Sequence, residues 1–160
     1  MPELPEVETV CRNLRNSILK KQIQNIKISD KNLRFPYPEN FITNLQNKEI
    51  LSIERRARYI LIDLSQNQTL LIHLGMTGKI LFHPNPPKAE KHDHISIEFN
   101  DGSKLIYNDQ RRFGFVDIFD SNTTDKHKML ANIGPEPLSD AFNVEYLATK
   151  LQKKKMNIKT

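Results

Sequence analysis

The sequence contains a single cysteine, Cys11, and no long apolar run. One cysteine excludes an internal disulfide, and it also excludes a cysteine-rich zinc site within this chain. A transmembrane helix needs about 18 consecutive apolar residues, so no membrane partner is expected. The acidic N-terminus lacks the apolar leader of a signal peptide, and no internal repeat is visible. The sequence therefore predicts a cytoplasmic protein.

The charge balance of the chain is basic. Lysine and arginine total 24 against 19 acidic residues, which gives a formal net charge of +5 and a pI of about 9.3 over 160 residues. This balance indicates a polyanionic partner, although many basic proteins bind none. The length is sufficient for one domain with a substantial core.

Two hydrophobic periods divide the chain. Residues 7–18 carry apolar side chains at helical spacing, which predicts an amphipathic helix packed on a core. From residue 22 the period changes to two, as in half-buried strands. The predicted strands are residues 22–28, 49–53, 58–64, 69–74, 79–82, 95–99, 104–107 and 115–119. Asn100-Asp101-Gly102, and more weakly residues 65–68, are hairpin turn signals.

This pattern predicts a mainly β fold with flanking helices: a two-sheet β-sandwich or flattened barrel on which the N-terminal helix packs. A second amphipathic helix is expected near residues 144–151, with Asn143 as its N-cap and a hydrophobic staple between Phe142 and Leu147. We divide the chain into residues 1–135, the β-sandwich, and residues 136–160, a helix and the start of a linker.

The first residues suggest covalent chemistry. Removal of Met1 is favoured by a small second residue and would leave Pro2 with a free secondary amine. A terminal amine has a pKa of about 7.7–8.0, so part of it is neutral and can attack a sugar aldehyde carbon to give a Schiff base, with Glu3 as a neighbouring acid. The alternative is structural, since Pro5 and the acidic residues also make a good helix start.

Two loops could insert side chains between DNA bases. Gly75 and Gly78 put Met76 at the tip of a tight turn, where its side chain would be exposed. The alternative is that the Met76 side chain folds back into the core. Residues 109–114 place Arg111 and Phe113 in a loop that ends in glycine. The alternative to insertion between bases is that the arginines of this loop are solvated and Phe113 packs in the core. Such apolar and cationic side chains can unstack bases and fill the gap that a displaced base leaves.

Histidine and basic segments offer further contacts. His92 and His94 are predicted to lie on one face of a strand. Two histidines without further ligands make a poor metal site, so phosphate contact by His92 is the better interpretation. Residues 54–59 form a basic strand that either binds phosphate or keeps a sheet edge soluble. Lys153–Lys155 either bind phosphate or favour a helix C-terminus.

Six motifs in order resemble the bacterial formamidopyrimidine-DNA glycosylases, from residue 2 to about residue 159. Leu4 and the Val7-Glu8-Thr9 continuation favour these enzymes over their endonuclease VIII relatives. The motifs are Pro2-Glu3-Leu4-Pro5-Glu6-Val7-Glu8-Thr9, Arg55-Arg56-Ala57, His73-Leu74-Gly75-Met76, Lys91-His92-Asp93-His94, Arg111-Arg112-Phe113-Gly114 and Gly134-Pro135-Glu136-Pro137-Leu138-Ser139.

The resemblance implies base excision repair of damaged double-stranded DNA by a monomer that works at the bacterial nucleoid. An oxidised purine, such as 8-oxoguanine or a formamidopyrimidine, would be flipped out and removed, and the strand nicked by β- and δ-elimination. The implied catalytic residues are Pro2 as nucleophile, Glu3 as general acid, Glu6 in the pocket and the position of Arg58. The implied base-stack wedge is Met76, Arg111 and Phe113, and the implied phosphate contacts are His92, Arg111, Lys154 and Lys155.

The chain departs from the family at two positions. Arg58 stands where the family has a catalytic lysine, and Gln110 replaces a usual proline. Arginine keeps the charge and can bind phosphate, but its pKa above about 12 prevents it from acting as a proton shuttle.

The family also continues beyond the end of this chain, with a helix–two-turn–helix module and a zinc finger. No cofactor is therefore expected in these residues, and zinc only in that further part. We expect these residues alone to bind DNA weakly and to be weakly active or inactive. The competing interpretation is a non-catalytic DNA-binding remnant, and a metal-dependent nuclease would rest on His92 and His94 alone.

Overall fold

Eight antiparallel strands form two four-stranded sheets in the computed structural model, which describes residues 1–157. The first sheet has the order β1-β6-β7-β5 and the second β2-β3-β4-β8, so the fold is an open β-sandwich and not a closed barrel. The strands are β1 Ile23–Ile28, β2 Ile50–Arg56, β3 Tyr59–Leu64, β4 Gln68–His73, β5 Lys79–His83, β6 Asp93–Phe99, β7 Lys104–Asn108 and β8 Phe115–Asp120.

Helix α1, Leu4–Ile18, packs one face on the sandwich. Its buried residues are Val7, Cys11, Leu14 and Ile18, which recur at the predicted spacing. Each large aliphatic side chain buried in this way stabilises the fold by about 1.5–3 kcal/mol. Burial also raises the pKa of the Cys11 thiol to about 11, which makes this cysteine an unreactive core residue.

The core lies between the sheets and under α1. Ile53, Ile62 and Leu64 of the second sheet and Ile97 and Phe99 of the first belong to one buried cluster. This arrangement follows from the period-two pattern, because alternate side chains of each strand point to the shared interior. The mainly β prediction with an N-terminal helix is confirmed.

Hairpins formed at both predicted turns. Gly102 has φ +85° between β6 and β7, and its N–H donates to the Phe99 carbonyl at 2.9 Å. Gln66 and Asn67, with φ of 62° and 58°, turn the chain between β3 and β4. Two residues with positive φ give the twist that a tight hairpin requires.

Two short helices were not predicted: α2, Phe41–Leu45, and a 3-10 helix, Ser121–Lys126. After the 3-10 helix, Leu130 joins Leu71 and Phe115 in a small second cluster on the outer face of the second sheet. The segment that follows β8 therefore covers this face.

Helix α3, Val144–Leu151, begins as predicted, because the Asn143 side chain accepts the Tyr146 N–H at 2.9 Å. Phe142 contacts Tyr146 at 5.9 Å between ring centroids. The apolar side of the helix is uncovered, with Val144 85% exposed. Across the described residues, every helix is too short or too polar to cross a membrane.

Candidate functional site

The first residues lead directly into α1. Pro2 is half-buried, and Glu3 is the exposed N-cap residue, with extended backbone. The Glu6 carboxylate accepts the Glu3 N–H at 2.9 Å, so one of its oxygens is held in the helix cap. The structural interpretation of this segment as a helix start is confirmed, and Glu3 is exposed beside Pro2.

Arg58 faces this terminus from the turn between β2 and β3. Its Nη1 atom lies 3.5 Å from Oε1 of Glu3 and 3.3 Å from Sδ of Met1. Ala57 forms the turn with φ 50°. The structure therefore brings Arg58 to Pro2 and Glu3, more than fifty residues earlier in the sequence.

The neighbouring arginines are used in internal ion pairs. Glu136 accepts from Arg55 at 2.6 Å, from Arg56 at 3.0 Å and from the Ala57 N–H at 2.7 Å. Arg55 also contacts Glu8 of α1 at 3.0 Å. Residues 54–59 do lie at the edge of a sheet, and Arg55 and Arg56 fix that edge to α1 and to the residues after the 3-10 helix.

Opposing effects act on the pKa of these groups. Burial raises the pKa of Glu136, but hydrogen bonds from Ala57, Arg55 and Arg56 outweigh it and lower the pKa overall. Burial lowers the pKa of Arg55, and its bonds to Glu136 and Glu8 reverse that effect and raise it. The cluster is therefore fully ionised near neutral pH.

Two loops touch each other: residues 75–78, which carry Met76, and residues 109–114, which carry Arg111 and Phe113; we call them the wedge loops after their predicted role. Gly75, with φ +60°, packs so closely on Phe113 and Gly114 that a side-chain carbon at this position would collide with their backbone. Met76 is 43% and Phe113 44% exposed, so both side chains present apolar surface to solvent. The guanidinium of Arg111 lies 4.6 Å from the centroid of the Phe113 ring, a cation–π distance. The predicted exposure of Met76 at the turn is confirmed, and its alternative core position is wrong.

These loops and the terminus line one open cleft of about 480 Å³. Its lining residues are Met1, Arg34, His73, Gly75, Met76 and Phe113. The cleft combines the apolar side chains of Met76 and Phe113 with the guanidinium of Arg34.

Comparisons with known proteins identify the family of this chain. The family model described as formamidopyrimidine-DNA glycosylase N-terminal domain matches residues 1–116. The chain belongs to this family. A formamidopyrimidine-DNA glycosylase of Dinoroseobacter shibae is 44% identical and is matched over 100% of this chain and 60% of its own length. One from Rickettsia felis is 40% identical over 99% of this chain and 57% of its own length.

Solved structures of the family share the fold. The Lactococcus lactis glycosylase bound non-covalently to DNA with an AP site has a TM-score of 0.86 at 32% identity, over 99% of this chain and 60% of that protein. A complex of the inhibited Lactococcus lactis enzyme with DNA containing N7-benzyl-Fapy-dG has a TM-score of 0.87 at 33% identity, over 99% and 59%. The chain spans about three fifths of the length of these relatives.

In this glycosylase-family domain, the two histidines of residues 91–94 do not share a strand face. His92 has φ 75° and precedes β6, whereas His94 is buried within it. Nδ1 of His94 lies 3.0 Å from Ser29 Oγ, and Nε2 lies 2.9 Å from the Asp109 carbonyl oxygen. The predicted pairing was wrong because a left-handed residue interrupts the alternation. Within residues 1–157, no three His, Cys, Asp or Glu side chains lie together as metal ligands would.

None of the predicted phosphate contacts lines the cleft, although Arg111 stacks on Phe113, which does. His92 is half-buried, and Arg111 is exposed beside Phe113. Lys154 and Lys155 are exposed and follow the end of α3, with Lys153 at φ 64° after the helix C-cap. The lysine run thus lies beyond the helix and not in its last turn.

Sequence reasoning missed two cleft residues, His73 and Arg34. Nδ1 of His73 accepts the Gly75 N–H at 3.1 Å, which places the proton of the neutral ring on Nε2. Burial, followed by the charges of Arg58 and Arg34, lowers the pKa of His73. His73 lies two residues before Gly75, and its place beside this loop was a signal available in the sequence. Nothing in the sequence indicated that Arg34 faces the cleft.

Proposed function

We propose that this chain removes oxidised purines from duplex DNA and nicks the strand, using the amine of Pro2 as nucleophile. The observation that supports this proposal is that the N-terminus, His73 and the two wedge loops line the same cleft. Family membership and the likeness to DNA-bound glycosylases agree with it. The substrates are damaged bases such as 8-oxoguanine and formamidopyrimidines in double-stranded DNA.

The covalent step begins at the damaged nucleotide. The neutral Pro2 nitrogen attacks the sugar C1′, and the bond from C1′ to the base breaks with its electron pair leaving on the base, which takes up a proton. Opening of the sugar ring then gives a Schiff base between Pro2 and C1′. Loss of a C2′ proton expels the 3′ phosphate, and a second elimination expels the 5′ phosphate.

This step requires that Met1 be removed. The Met1 side chain lines the cleft, and its Sδ lies 3.3 Å from Arg58 Nη1. While Met1 is attached, the Pro2 nitrogen is an amide without a nucleophilic lone pair. Cleavage therefore both creates the amine and opens space beside Arg58.

The neighbouring charged groups have distinct roles in this proposal. Glu3 is exposed next to Pro2 and acts as the general acid. Glu6 holds the start of α1 through the Glu3 N–H, which orients the terminus. Arg58 binds a phosphate near the lesion and does not transfer protons, because its guanidinium remains charged throughout the working pH range.

The wedge residues support base extrusion. Unstacking and flipping a base costs a few kcal/mol, which side chains that fill the gap must offset. Met76 and Phe113 supply exposed apolar surface, and Arg111 can enter the vacated stack. His92, Lys154 and Lys155 are assigned to the phosphate backbone, where binding is electrostatic and weakens with salt.

Borohydride trapping on a duplex with an abasic site tests the proposal. The chain is expected to form a covalent adduct that Pro2→Gly abolishes, with mass spectrometry confirming that Met1 is absent from both proteins. Because the chain spans three fifths of its relatives, we expect trapping to be slow and sensitive to salt. Trapping as fast as that of a full-length glycosylase would contradict that expectation. An adduct that still forms with Pro2→Gly would contradict the assignment of Pro2 as the nucleophile.

A second candidate function is DNA binding without covalent chemistry. Arg58, where the family has a lysine, is the observation that favours it. Abasic-duplex binding without any adduct, measured on protein that lacks Met1, would support this alternative against catalysis.

A further inference from the structure

Asp109 is a fully buried carboxylate between the two wedge loops. It accepts from Thr77 Oγ1 at 2.5 Å, from the Gly114 N–H at 2.9 Å and from the Tyr107 hydroxyl at 3.2 Å. A buried carboxylate is costly unless donors surround it. Here the donors come from the glycine turn, from the second loop and from the strand between them.

Thr77 extends this connection to the arginine of the wedge. Its hydroxyl donates to Asp109 and accepts the Arg111 N–H at 3.1 Å. One hydroxyl thus joins the turn that carries Met76 to the loop that carries Arg111 and Phe113. Removing it leaves the Arg111 N–H without this partner and removes one donor from Asp109.

Backbone packing leaves little room for the loops to move independently. A side-chain carbon on Gly114 would collide with the Tyr107 hydroxyl and lie 2.5 Å from the His73 carbonyl oxygen. Burial, followed by the charge of Asp109, raises the pKa of Tyr107, so its hydroxyl stays protonated and available as a donor. The loops are therefore in direct contact and share one polar centre.

We propose that Asp109 and Thr77 are positioning residues that hold the two wedge loops as one rigid unit, so that Met76, Arg111 and Phe113 enter the DNA together. This inference rests on the proposed function for its consequence on DNA, whereas the rigidity itself is a property of the free protein. Preorganised side chains avoid the ordering cost that separate loops would pay on binding.

The hydrogen-bond pattern predicts which substitutions matter. Asp109→Asn keeps a carbonyl for Gly114 and Tyr107, but its amide replaces the oxygen that accepts from Thr77, so the Thr77 hydroxyl loses its acceptor and this variant is expected to loosen the loops. Thr77→Val preserves shape and removes both contacts of the hydroxyl. Thr77→Ser restores the hydroxyl. Thr69→Val is the matched control, since Thr69 Oγ1 bonds to Asp63 at 2.7 Å and Ser121 at 2.8 Å outside the cleft.

The test measures amide hydrogen exchange at Arg111 and Gly114 in the free chain, together with affinity for an abasic duplex. We expect Thr77→Val to speed exchange at both amides and to weaken duplex binding about tenfold, as the loss of two hydrogen bonds would. Thr77→Ser and Thr69→Val should stay within about twofold of the parent in both measurements.

The outcomes separate this inference from the proposed function. Unchanged exchange in Thr77→Val, or faster exchange with unaltered duplex affinity, overturns the positioning role. A similar loss in Thr69→Val also overturns it, since the effect would then be general destabilisation. If the parent chain does not bind abasic DNA, the proposed function fails, and the exchange rates in Thr77→Val and Thr77→Ser still decide whether these residues hold the loops together.

Discussion

Arg58 Nη1 lies 3.5 Å from Glu3 Oε1, which joins the turn between β2 and β3 to the N-cap residue of α1. Their side chains are 40% and 60% exposed, so the pair contributes little to stability. Its importance is positional, because it places a permanent cation beside the terminal residue that the proposed chemistry uses.

Arg58→Lys is expected to accelerate strand nicking at an abasic site by about tenfold or more, because an ammonium group can transfer a proton and a guanidinium cannot. Duplex affinity should change by less than about twofold, since the charge is kept. Gel analysis of single-turnover nicking measures the first effect. Arg12→Lys, on the exposed side of α1, is the control. Equal rates in Arg58→Lys and the parent would show that residue 58 does not limit the reaction.

Glu136→Gln is expected to destabilise the fold by about 2 kcal/mol, since it removes the carboxylate partner of Arg56 and one of the two carboxylate partners of Arg55 in a partly buried cluster. Urea unfolding at pH 7 measures the loss. Glu98→Gln is the control: it removes a more exposed pair with Lys104 and should cost less than about 1 kcal/mol.

The same cluster sets an acid limit on stability. The folded-state pKa of Glu136 is lowered, so its contribution is present above the ordinary value of 4.5 and is lost as the pH falls through the lower folded-state value. The parent chain should therefore lose stability below pH 4.5 more steeply than Glu136→Gln. Identical slopes would mean that this carboxylate is not ion-paired in solution.

Local signals predicted the elements of this fold well. The stripe from Val7 to Ile18 and the turn at Gly102 follow from neighbouring residues, because helical periodicity and left-handed turns are local properties. The sheet order β1-β6-β7-β5 depends on pairings between distant segments, which alternation alone does not specify.

The site was predictable where a motif marks it and not where distant residues complete it. Met76 and Phe113 were found from the glycines beside them. Glu136 contacts Arg55 across 81 residues of sequence, and Arg34 enters the cleft from a loop without a distinguishing pattern. The sequence predicts that His94 shares a strand face with His92, whereas the fold buries His94 against the Asp109 carbonyl.

Gly75→Ala is expected to cost more than about 3 kcal/mol and to abolish abasic-duplex binding, because both φ +60° and the contact with Gly114 exclude a side chain. Gly102→Ala is the matched control: its φ is +85°, but a side chain there would meet open space, so it should cost about 1 kcal/mol. Thermal unfolding and duplex titration measure both variants. Similar losses would mean that backbone conformation alone, and not the contact between the loops, requires Gly75.

Arg58→Gln is expected to raise the pKa of His73, since burial first and then the charges of Arg58 and Arg34 hold it below the ordinary value of 6.5. With a lowered folded-state pKa, the native chain binds fewer protons than the unfolded chain, so this contribution to stability is present above pH 6.5 and is lost as the pH falls through the folded-state value. Arg58→Gln brings the folded-state pKa closer to 6.5, so the loss of stability on acidification should be smaller and be complete at a higher pH. Titration of the His73 ring by NMR measures the shift, with Arg12→Gln as the control that removes a distant charge. An unchanged pKa in Arg58→Gln would place the guanidinium away from His73 in solution and would remove the electrostatic link between residue 58 and the cleft.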